Sequence, residues 1–402
     1  MKRQSSHGLA VGFASIAHSY SHMFVLFYAT VVLALERDWG MPYAELFALS
    51  IPGAVMFGAG ALPAGWLGDR WSATGMMAVF FFGTGIAAVL TGFARTPLEL
   101  AVGLTAIGSC AAIYHPVGIP WLIRHARSRG RALGISGVFG SAGTAAAALV
   151  AGALADLYGW RAAFIVPGLV CLATGVAFVA LLRLGLIADG EGEAAPTPAP
   201  SRAEVRRAFT ALAVTVLCVG VIYQATSYAL PKIFEERLAG FVGGSVLGIG
   251  GVVTACYLLS GLTQLIGGEL ADRFPQKTVY MLCQLAQVPL YALAFFLFGA
   301  SLLPVAFLMI AFNVMGQPAE NALLARYTPM KWRGQVFGAK FVLTLGVSSL
   351  GVAVIPLIHA ATGSLDGLFV LLGASALISF LGASMLPTER REARLAASRA
   401  GV

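Results

Sequence analysis

The sequence predicts an all-α membrane protein with twelve transmembrane helices in two pseudo-symmetric six-helix bundles. Composition, charge-free stretches and an internal repeat lead to this prediction. Of the 402 residues, 58% are hydrophobic and 11% are charged, whereas a soluble globular chain carries about 25% charged residues. A soluble protein cannot hide so much apolar surface, so lipid must cover part of it.

Long stretches free of charge define the helices, because a helix needs about 20 apolar residues to cross a bilayer. Ten stretches fit one crossing each: 8–35, 46–68, 71–94, 100–123, 132–155, 162–182, 208–231, 238–268, 341–365 and 367–388. An eleventh stretch, 278–319, is long enough for two helices. It is expected to break at Gly299–Ser301, with Pro304 in the first turn of the next helix. The total is twelve spans.

Lysine and arginine placement predicts the orientation. An even number of spans puts both termini on one side, and 20 of the 26 Lys and Arg residues fall there against 5 on the other. The positive-inside rule then places both termini in the cytoplasm, for a bacterial inner-membrane protein. The net charge of +8 is explained by this topology, and no nucleic-acid partner is expected.

The polar stretch 187–207, rich in Pro, Gly and Ala, predicts a flexible cytoplasmic linker between the two halves. The N-terminal bundle is then 1–186, and 208–402 forms the C-terminal bundle with a short tail. The five cysteines lie inside apolar segments without metal-type spacing. They are interpreted as buried apolar side chains.

An internal repeat relates the two halves. A G-x-x-x-D-R motif follows span 2 and again follows span 8; its residues are Gly65, Asp69 and Arg70, then Gly268, Asp272 and Arg273. Prolines in spans 4 and 10, Glu-Arg pairs ending spans 1 and 7, and Arg-Gly pairs opening spans 5 and 11 also recur at 200–204 residues. Such repeats build transporters whose site lies between the halves.

With this motif pair and linker, the chain resembles the major facilitator superfamily over nearly its whole length. The chain is further similar to carriers of the fosmidomycin-resistance type in three segments, which are Tyr114–Pro116, 129–134 (RGRALG) and 159–164 (GWRAAF). The resemblance implies alternating access and no enzymatic activity. One departure is Leu104, which stands where many drug–proton antiporters of the superfamily have arginine.

The repeated aspartates are candidates for gating. A carboxylate is stabilised at a helix N-terminus, and we expect Asp69 to face the start of span 11 and Asp272 the start of span 5. These contacts would close the cytoplasmic side in the outward-open state. The alternative interpretation is a turn that only sets topology.

Polar groups at membrane depth are expensive and are usually functional. The candidates for substrate binding or coupling are His18, His22, His115, Tyr223, Gln224, Glu320, Asn321 and Lys340. Glu320 and Lys340 each lie about 9 Å from a span end on spans expected to be neighbours, so a pair is predicted. That pair either handles an anionic solute group and a proton or fixes helix packing.

The histidines permit several interpretations. His18 and His22 share one helix face, and His115 approaches the same depth. They are candidates for hydrogen-bonding a solute, carrying protons, packing, or binding a zinc-like ion. Metal binding ranks last because no cysteine or carboxylate lies beside them, so neither a metal site nor a cofactor is predicted.

The sequence therefore predicts a monomeric secondary carrier that moves a small organic solute, anionic or a drug-like efflux substrate, with possible proton coupling. No ATP-binding loop G-x-x-x-x-G-K-[ST] is present, and no clustered nucleophile and base indicates an enzyme. Two alternatives stay open: a divalent metal-ion carrier using His18, His22 and His115, and a non-transporting receptor or assembly protein on a carrier scaffold.

Overall fold

The computed structural model describes residues 2–126, 129–187, 202–328, 336 and 339–387. In this part of the chain, twelve helices are long and apolar enough to cross a membrane. They are α1 His7–Trp39, α2 Tyr43–Arg70, α3 Ala73–Gly92, α4 Pro97–His125, α5 Ala132–Tyr158, α6 Ala162–Arg183, α7 Arg206–Leu238, α8 Val246–Arg273, α9 Gln276–Phe296, α10 Gly299–Tyr327, α11 Ala339–Thr362 and α12 Asp366–Ser384. The described residues contain no β-strand, and the predicted all-α membrane fold is confirmed.

The predicted division of 278–319 is confirmed. α9 ends at Phe296, and a 3₁₀ turn at Gly299–Ser301 leads into the next helix at Leu302. Gly299 has φ +63°, which glycine adopts without a steric penalty. The helix that contains α7 begins at Arg202, inside the stretch predicted as linker. Residues 188–201 of that stretch and the tail from 388 lie outside the described residues.

The helices alternate in direction. We call the face where α1 begins and α12 ends the terminal face, and the other the opposite face. At the terminal face Lys277 Nζ, at the start of α9, donates to the carbonyl oxygens of Ser384 and Leu386, at 2.7 and 2.6 Å. At the opposite face Arg161, at the start of α6, donates to the carbonyl oxygen of Ala94 after α3. These contacts fasten neighbouring helix ends within each half.

The two halves meet along α5 and α8, α2 and α11, and α1 and α7. Along α5 and α8 glycines let the backbones approach closely. A Cβ on Gly250 would lie 2.3 Å from the carbonyl oxygen of Ala148, and one on Gly152 would lie 2.6 Å from that of Val246. Thr254 Oγ1 also donates to the carbonyl oxygen of Ala145 at 2.5 Å.

Large apolar side chains cover the outside of the helices. Leu90, Leu157, Leu265 and Phe296 are each more than 60% exposed, on α3, α5, α8 and α9. Monomeric soluble proteins rarely expose contiguous apolar surface on this scale. This outer surface is suited to lipid, and the protein is a multi-pass membrane protein.

Helices α4 and α10 are interrupted at equivalent places. In α4 a π-helical turn spans Tyr114–Gly118 and contains Pro116, while α10 breaks at Gly316, two residues before Pro318. Proline lacks the N–H group that a regular helix uses. The repeated prolines of the sequence therefore mark a repeated irregularity, and π-turns occur often at functional sites.

Candidate functional site between the two halves

Three histidine side chains from α1 and α4 form a compact group, the histidine cluster (His18, His22 and His115). The ring centroids lie 5.1 Å apart for His18 and His22, 5.4 Å for His18 and His115, and 5.2 Å for His22 and His115. One ring nitrogen from each residue lies within 4.8 Å of the other two. His115 is buried and the others are half-buried. The structure thus brings together all three histidines that the sequence singled out.

Ser136 on α5 orients one ring of the histidine cluster. The Nδ1 atom of His18 lies 2.7 Å from the carbonyl oxygen of Ser136. Because a carbonyl oxygen only accepts, His18 Nδ1 carries the hydrogen and the neutral ring keeps a lone pair on Nε2. The hydroxyl of Tyr114 lies 2.8 Å from Ser136 Oγ, and the Tyr114 ring stacks on His18 at 4.7 Å.

The histidine cluster lies where the two halves meet. The ring of His115 packs against Phe57 of α2, with 5.8 Å between centroids, and against Phe341 of α11, with 5.0 Å. Leu345, also on α11, belongs to the same buried apolar group as Phe57. A change in the distance between the halves therefore changes the surroundings of His115.

The second polar group is an ion pair in the C-terminal half. Lys340 Nζ lies 2.6 Å from Glu320 Oε1, and the two side chains are 10% and 1% exposed. Lys340 also donates to Asn321 Oδ1 at 2.6 Å, and the Tyr280 hydroxyl donates to Glu320 Oε2 at 2.7 Å. The predicted pairing of Glu320 with Lys340 is confirmed. Its part in transport remains a prediction.

The other predicted lining residues fall in different surroundings. The Tyr223 hydroxyl lies 3.0 Å from Thr144 Oγ1 and joins α7 to α5 across the halves. Gln224 is buried, and its Nε2 finds no hydrogen-bond partner in the described part of the chain. Asn321 is exposed, and its Oδ1 accepts a hydrogen bond from Lys340 Nζ. Their contribution to solute binding stays a prediction.

The G-x-x-x-D-R residues close α2 and α8 at the terminal face. Asp69 and Asp272 are exposed there, and Arg273 pairs with Glu269 one turn earlier at 2.5 Å. The start of span 11, the expected partner of Asp69, falls in 329–335, outside the described residues. The side chains of 129–131, expected near Asp272, are also not described. The gating role therefore stays a prediction.

Charged side chains join the halves at the opposite face. Lys232 Nζ on α7 lies 2.8 Å from both Glu36 Oε2 of α1 and Glu235 Oε2, and 4.8 Å from the ring centroid of Tyr43. Arg37 of α1 lies 3.2 Å from Glu235. Lys232 is 9% exposed. We call this group of Glu36, Arg37, Lys232 and Glu235 the opposite-face lock.

A second contact lies beside the opposite-face lock. Asp156 at the end of α5 accepts hydrogen bonds from Ser245 Oγ at 2.9 Å and from the backbone N–H of Leu247 at 2.7 Å, at the start of α8. A carboxylate is favoured at a helix N-terminus. Sequence reasoning missed both contacts, because it used Lys232 only to assign orientation. The available signal was opposite charges at the equivalent ends of spans 1 and 7.

The halves also touch within the bundle, where α2 crosses α11. A Cβ on Gly58 would lie 1.8 Å from the Cα atom of Gly346, so the two backbones are in contact. A cavity of about 10 Å³ lined by Tyr28, Ser50 and Tyr228 lies nearby, and holds about one water molecule. The two halves are therefore in contact both at the opposite-face lock and where α2 crosses α11.

Removing the charge of Lys232 is expected to open the opposite face. Lys232→Gln leaves Glu36 without a cation and leaves Glu235 with the half-exposed Arg37 alone, at a cost of about 2 kcal/mol for a half-buried pair. We expect a roughly thirty-fold faster reaction of a Ser50→Cys reporter with an impermeant maleimide, in a background without native cysteines. Arg37→Gln, which removes the half-exposed cation, is the matched control with a smaller effect. Equal rates in wild type and Lys232→Gln would contradict the lock.

Twelve helices in two repeated halves, with buried polar groups at and beside their interface, define a membrane transporter. The chain belongs to the Major Facilitator Superfamily, whose profile matches residues 11–255 and 212–401. The two overlapping matches together cover both halves. A comparison with curated proteins gives no match.

Solved structures confirm this fold. A bacterial homologue of the human lysosomal transporter Spinster, inward-facing and unoccupied, is 14% identical with a TM-score of 0.77, over 95% of this chain and 98% of that chain. A peptide transporter in complex with alafosfalin is 15% identical with a TM-score of 0.75, over 94% of each chain. A D-xylose–proton symporter is 12% identical with a TM-score of 0.72, over 95% and 99%. These likenesses establish the fold.

Proposed function

We propose that this protein is a proton-coupled secondary carrier for a small organic anion, working by alternating access. One observation carries the proposal: adjacent residues of α11 contact the two polar groups. Lys340 pairs with Glu320, while Phe341 packs on His115. A movement of α11 therefore acts on the ion pair and the histidine cluster together.

The ion pair provides a route for binding an anion together with a proton. Lys340 is a cation whose charge Glu320 neutralises. A carboxylate or phosphonate group of a solute takes the place of Glu320 beside Lys340, and Glu320 then takes up a proton. The hydroxyl of Tyr280, a donor to Glu320, keeps that carboxyl group in place. The net charge of the site is therefore zero both before and after the anion and the proton bind, as low-dielectric surroundings require.

The histidine cluster supplies hydrogen bonds on the other half. Its half-buried rings carry donors and acceptors within reach of the α11 surface. Tyr223 and Gln224 add polar groups on α7, and Asn321 orients Lys340. We infer that a solute bridges the two halves through these groups, which are ligands of both neutral and anionic oxygens.

The orientation and subfamily are part of the proposal. The excess of Lys and Arg on the terminal face supports a cytoplasmic location for it, in a bacterial inner membrane. Membership among carriers of the fosmidomycin-resistance type is supported by the sequence segments Tyr114–Pro116, 129–134 and 159–164. Drug-like organic anions are the solutes that this similarity favours, with the protein working as a monomer.

A thermal-shift screen tests the solute class. The purified protein is scanned against carboxylates, phosphonates and sulfonates, each matched with a neutral amide or ester. We expect anions to raise Tm in wild type and to lose that effect in Lys340→Ala, while the neutral analogues have no effect in either. A solute that stabilises Lys340→Ala as strongly as wild type would place the site elsewhere.

Uptake into proteoliposomes tests coupling. The anion found by screening is offered with and without a pH gradient across the vesicle membrane. We expect the gradient to accelerate transport by wild type, whereas Glu320→Gln binds the anion and transports it without responding to the gradient. A wild-type rate that is indifferent to the gradient would remove the proton from the mechanism.

The loop motif gives a separate prediction. Asp69→Asn removes a carboxylate that we expect to stabilise closure at the terminal face by about 1 kcal/mol. A Leu345→Cys reporter, buried where α2 meets α11, is expected to react several-fold faster with maleimide in the variant. Glu269→Gln, an exposed carboxylate with a partner on its own helix, is the control. Unchanged labelling and unchanged transport would leave Asp69 as a topology signal.

A further inference from the structure

We propose that His18, His22 and His115 form a binding site for a divalent transition-metal ion such as Zn²⁺ or Co²⁺. The site lies in the N-terminal half and does not include the Glu320–Lys340 ion pair, which binds the anion in the proposed function. It requires no acidic residue. The spacing of the rings, their free lone pairs and the space that surrounds them all suit such an ion.

The spacing of the rings fits one ion. Zinc binds imidazole nitrogens at about 2.0–2.1 Å in tetrahedral geometry, which holds the ring centroids of three coordinating histidines about 5 Å apart. The observed centroid distances are 5.1, 5.2 and 5.4 Å. The three rings thus form a nearly equilateral triangle of about this size, with ring nitrogens within 4.8 Å of one another, a distance that shortens when one ion binds all three. Rings packed only for van der Waals contact need no such symmetry.

The rings also offer the required lone pairs. His18 donates its Nδ1 hydrogen to the carbonyl oxygen of Ser136 at 2.7 Å, so its Nε2 is free to bind a metal. Metal-binding histidines almost always donate their other N–H group in this way. The Nδ1 atom of His115 is buried without a hydrogen-bond partner among the described residues. An unpartnered polar atom in such a position costs free energy, and a bound ion removes that cost.

The donor set selects the class of ion. Three neutral imidazoles suit Zn²⁺, Co²⁺, Ni²⁺ and Cu²⁺, whereas Mg²⁺ and Ca²⁺ prefer oxygen ligands. Three protein ligands leave a fourth tetrahedral position open, as in zinc sites that bind water or a substrate. An anionic ligand in that position offsets the charge of the ion, which the neutral histidines leave uncompensated.

Gly140 on α5 makes room for the histidine cluster. A Cβ at this position would lie 2.6 Å from both Nε2 and Cε1 of His18, closer than side-chain atoms approach without displacement. Gly137, almost one turn earlier on the same helix, has open space at its Cβ position. The two glycines therefore form a matched pair: alanine at 140 displaces the ring of His18, and alanine at 137 leaves it in place.

Cobalt titration tests the site directly. The purified full-length chain, carrying no polyhistidine tag and freed of metal with a chelator, is titrated with Co²⁺ while visible absorption is recorded. We expect one ion per chain with the intense d–d bands of a four-coordinate site, and displacement by Zn²⁺. His22→Gln and His115→Gln are expected to weaken affinity at least ten-fold. His125→Gln, at a buried histidine that bonds to Trp121 outside the cluster, keeps wild-type binding.

The glycine pair keeps the test valid if a histidine variant does not fold. Gly140→Ala is expected to lose the cobalt bands, while Gly137→Ala retains them. A wild-type protein without d–d bands at micromolar Co²⁺ would overturn the proposal, and so would bands that persist in both His22→Gln and His115→Gln. Because the readout is binding to the purified chain, its failure leaves the anion-transport proposal intact, and the reverse also holds.

Discussion

Lys340→Met is expected to lower the melting temperature of the purified protein strongly, and adding Glu320→Gln is expected to restore most of the loss. Glu320 is 1% exposed, so removing Lys340 leaves a buried carboxylate without its cation. Breaking such a pair from one side costs about 3–5 kcal/mol, whereas replacing both partners is close to neutral. A thermal-unfolding series of wild type, the two single variants and the double variant measures the coupling.

An exposed pair supplies the control for this series. Arg273 and Glu269 lie 2.5 Å apart, but their side chains are 70% and 60% exposed. Exposed pairs contribute little to stability, so Arg273→Met is expected to leave the melting temperature nearly unchanged. If the double variant at Glu320 and Lys340 loses as much stability as the two single variants together, the buried residues are not coupled.

Gly58→Ala is expected to separate α2 from α11 and to weaken the contact between the halves at this crossing. Its Cβ would lie 1.8 Å from the Cα atom of Gly346, and only movement of a helix relieves that overlap. Overpacking of this kind costs about 1–3 kcal/mol, which corresponds to a roughly five- to 150-fold change in a conformational equilibrium. The separation of α2 from α11 is measured by the rate at which a Leu345→Cys reporter reacts with maleimide. The protein carrying the reporter has no native cysteines.

The reciprocal substitution is the matched control. A Cβ on Gly346 would lie 3.3 Å from the nearest atoms of Gly58, a distance that small shifts of a few tenths of an ångström relieve. With Gly346→Ala, the Leu345→Cys reporter is therefore expected to react with maleimide nearly as slowly as it does without this substitution. The substitution nevertheless adds the same methyl group to the same crossing. Similar labelling rates for the two alanine variants would mean that the contact does not determine closure.

The sequence predicted the fold almost completely, because apolar length and charge placement act locally. It also predicted that Glu320 and Lys340 pair, since helical rise gave both the same depth and a charge at that depth needs a partner. The repeated prolines Pro116 and Pro318 pointed to equivalent positions in α4 and α10. Both helices are interrupted there.

The geometry of the candidate site was less predictable. The spacing of His18 and His22 showed that they share a helix face, but no spacing rule reveals the π-helical turn that contains His115. The contact between Gly58 and Gly346 depends on how two helices from different halves cross. Lys232 was visible in the sequence, yet its partner Glu36 lies in the other half.

The opposite-face lock and the contact between Gly58 and Gly346 differ in how they depend on dissolved salt. Arg37 in the lock is 49% exposed and Glu36 is 31% exposed, so dissolved salt, with a Debye length of about 8 Å at physiological ionic strength, screens part of their attraction. The contact between Gly58 and Gly346 carries no charge and depends on packing alone. We therefore expect ionic strength at the opposite face to change how long that face stays closed. Charge screening is expected to leave the contact between Gly58 and Gly346 unchanged.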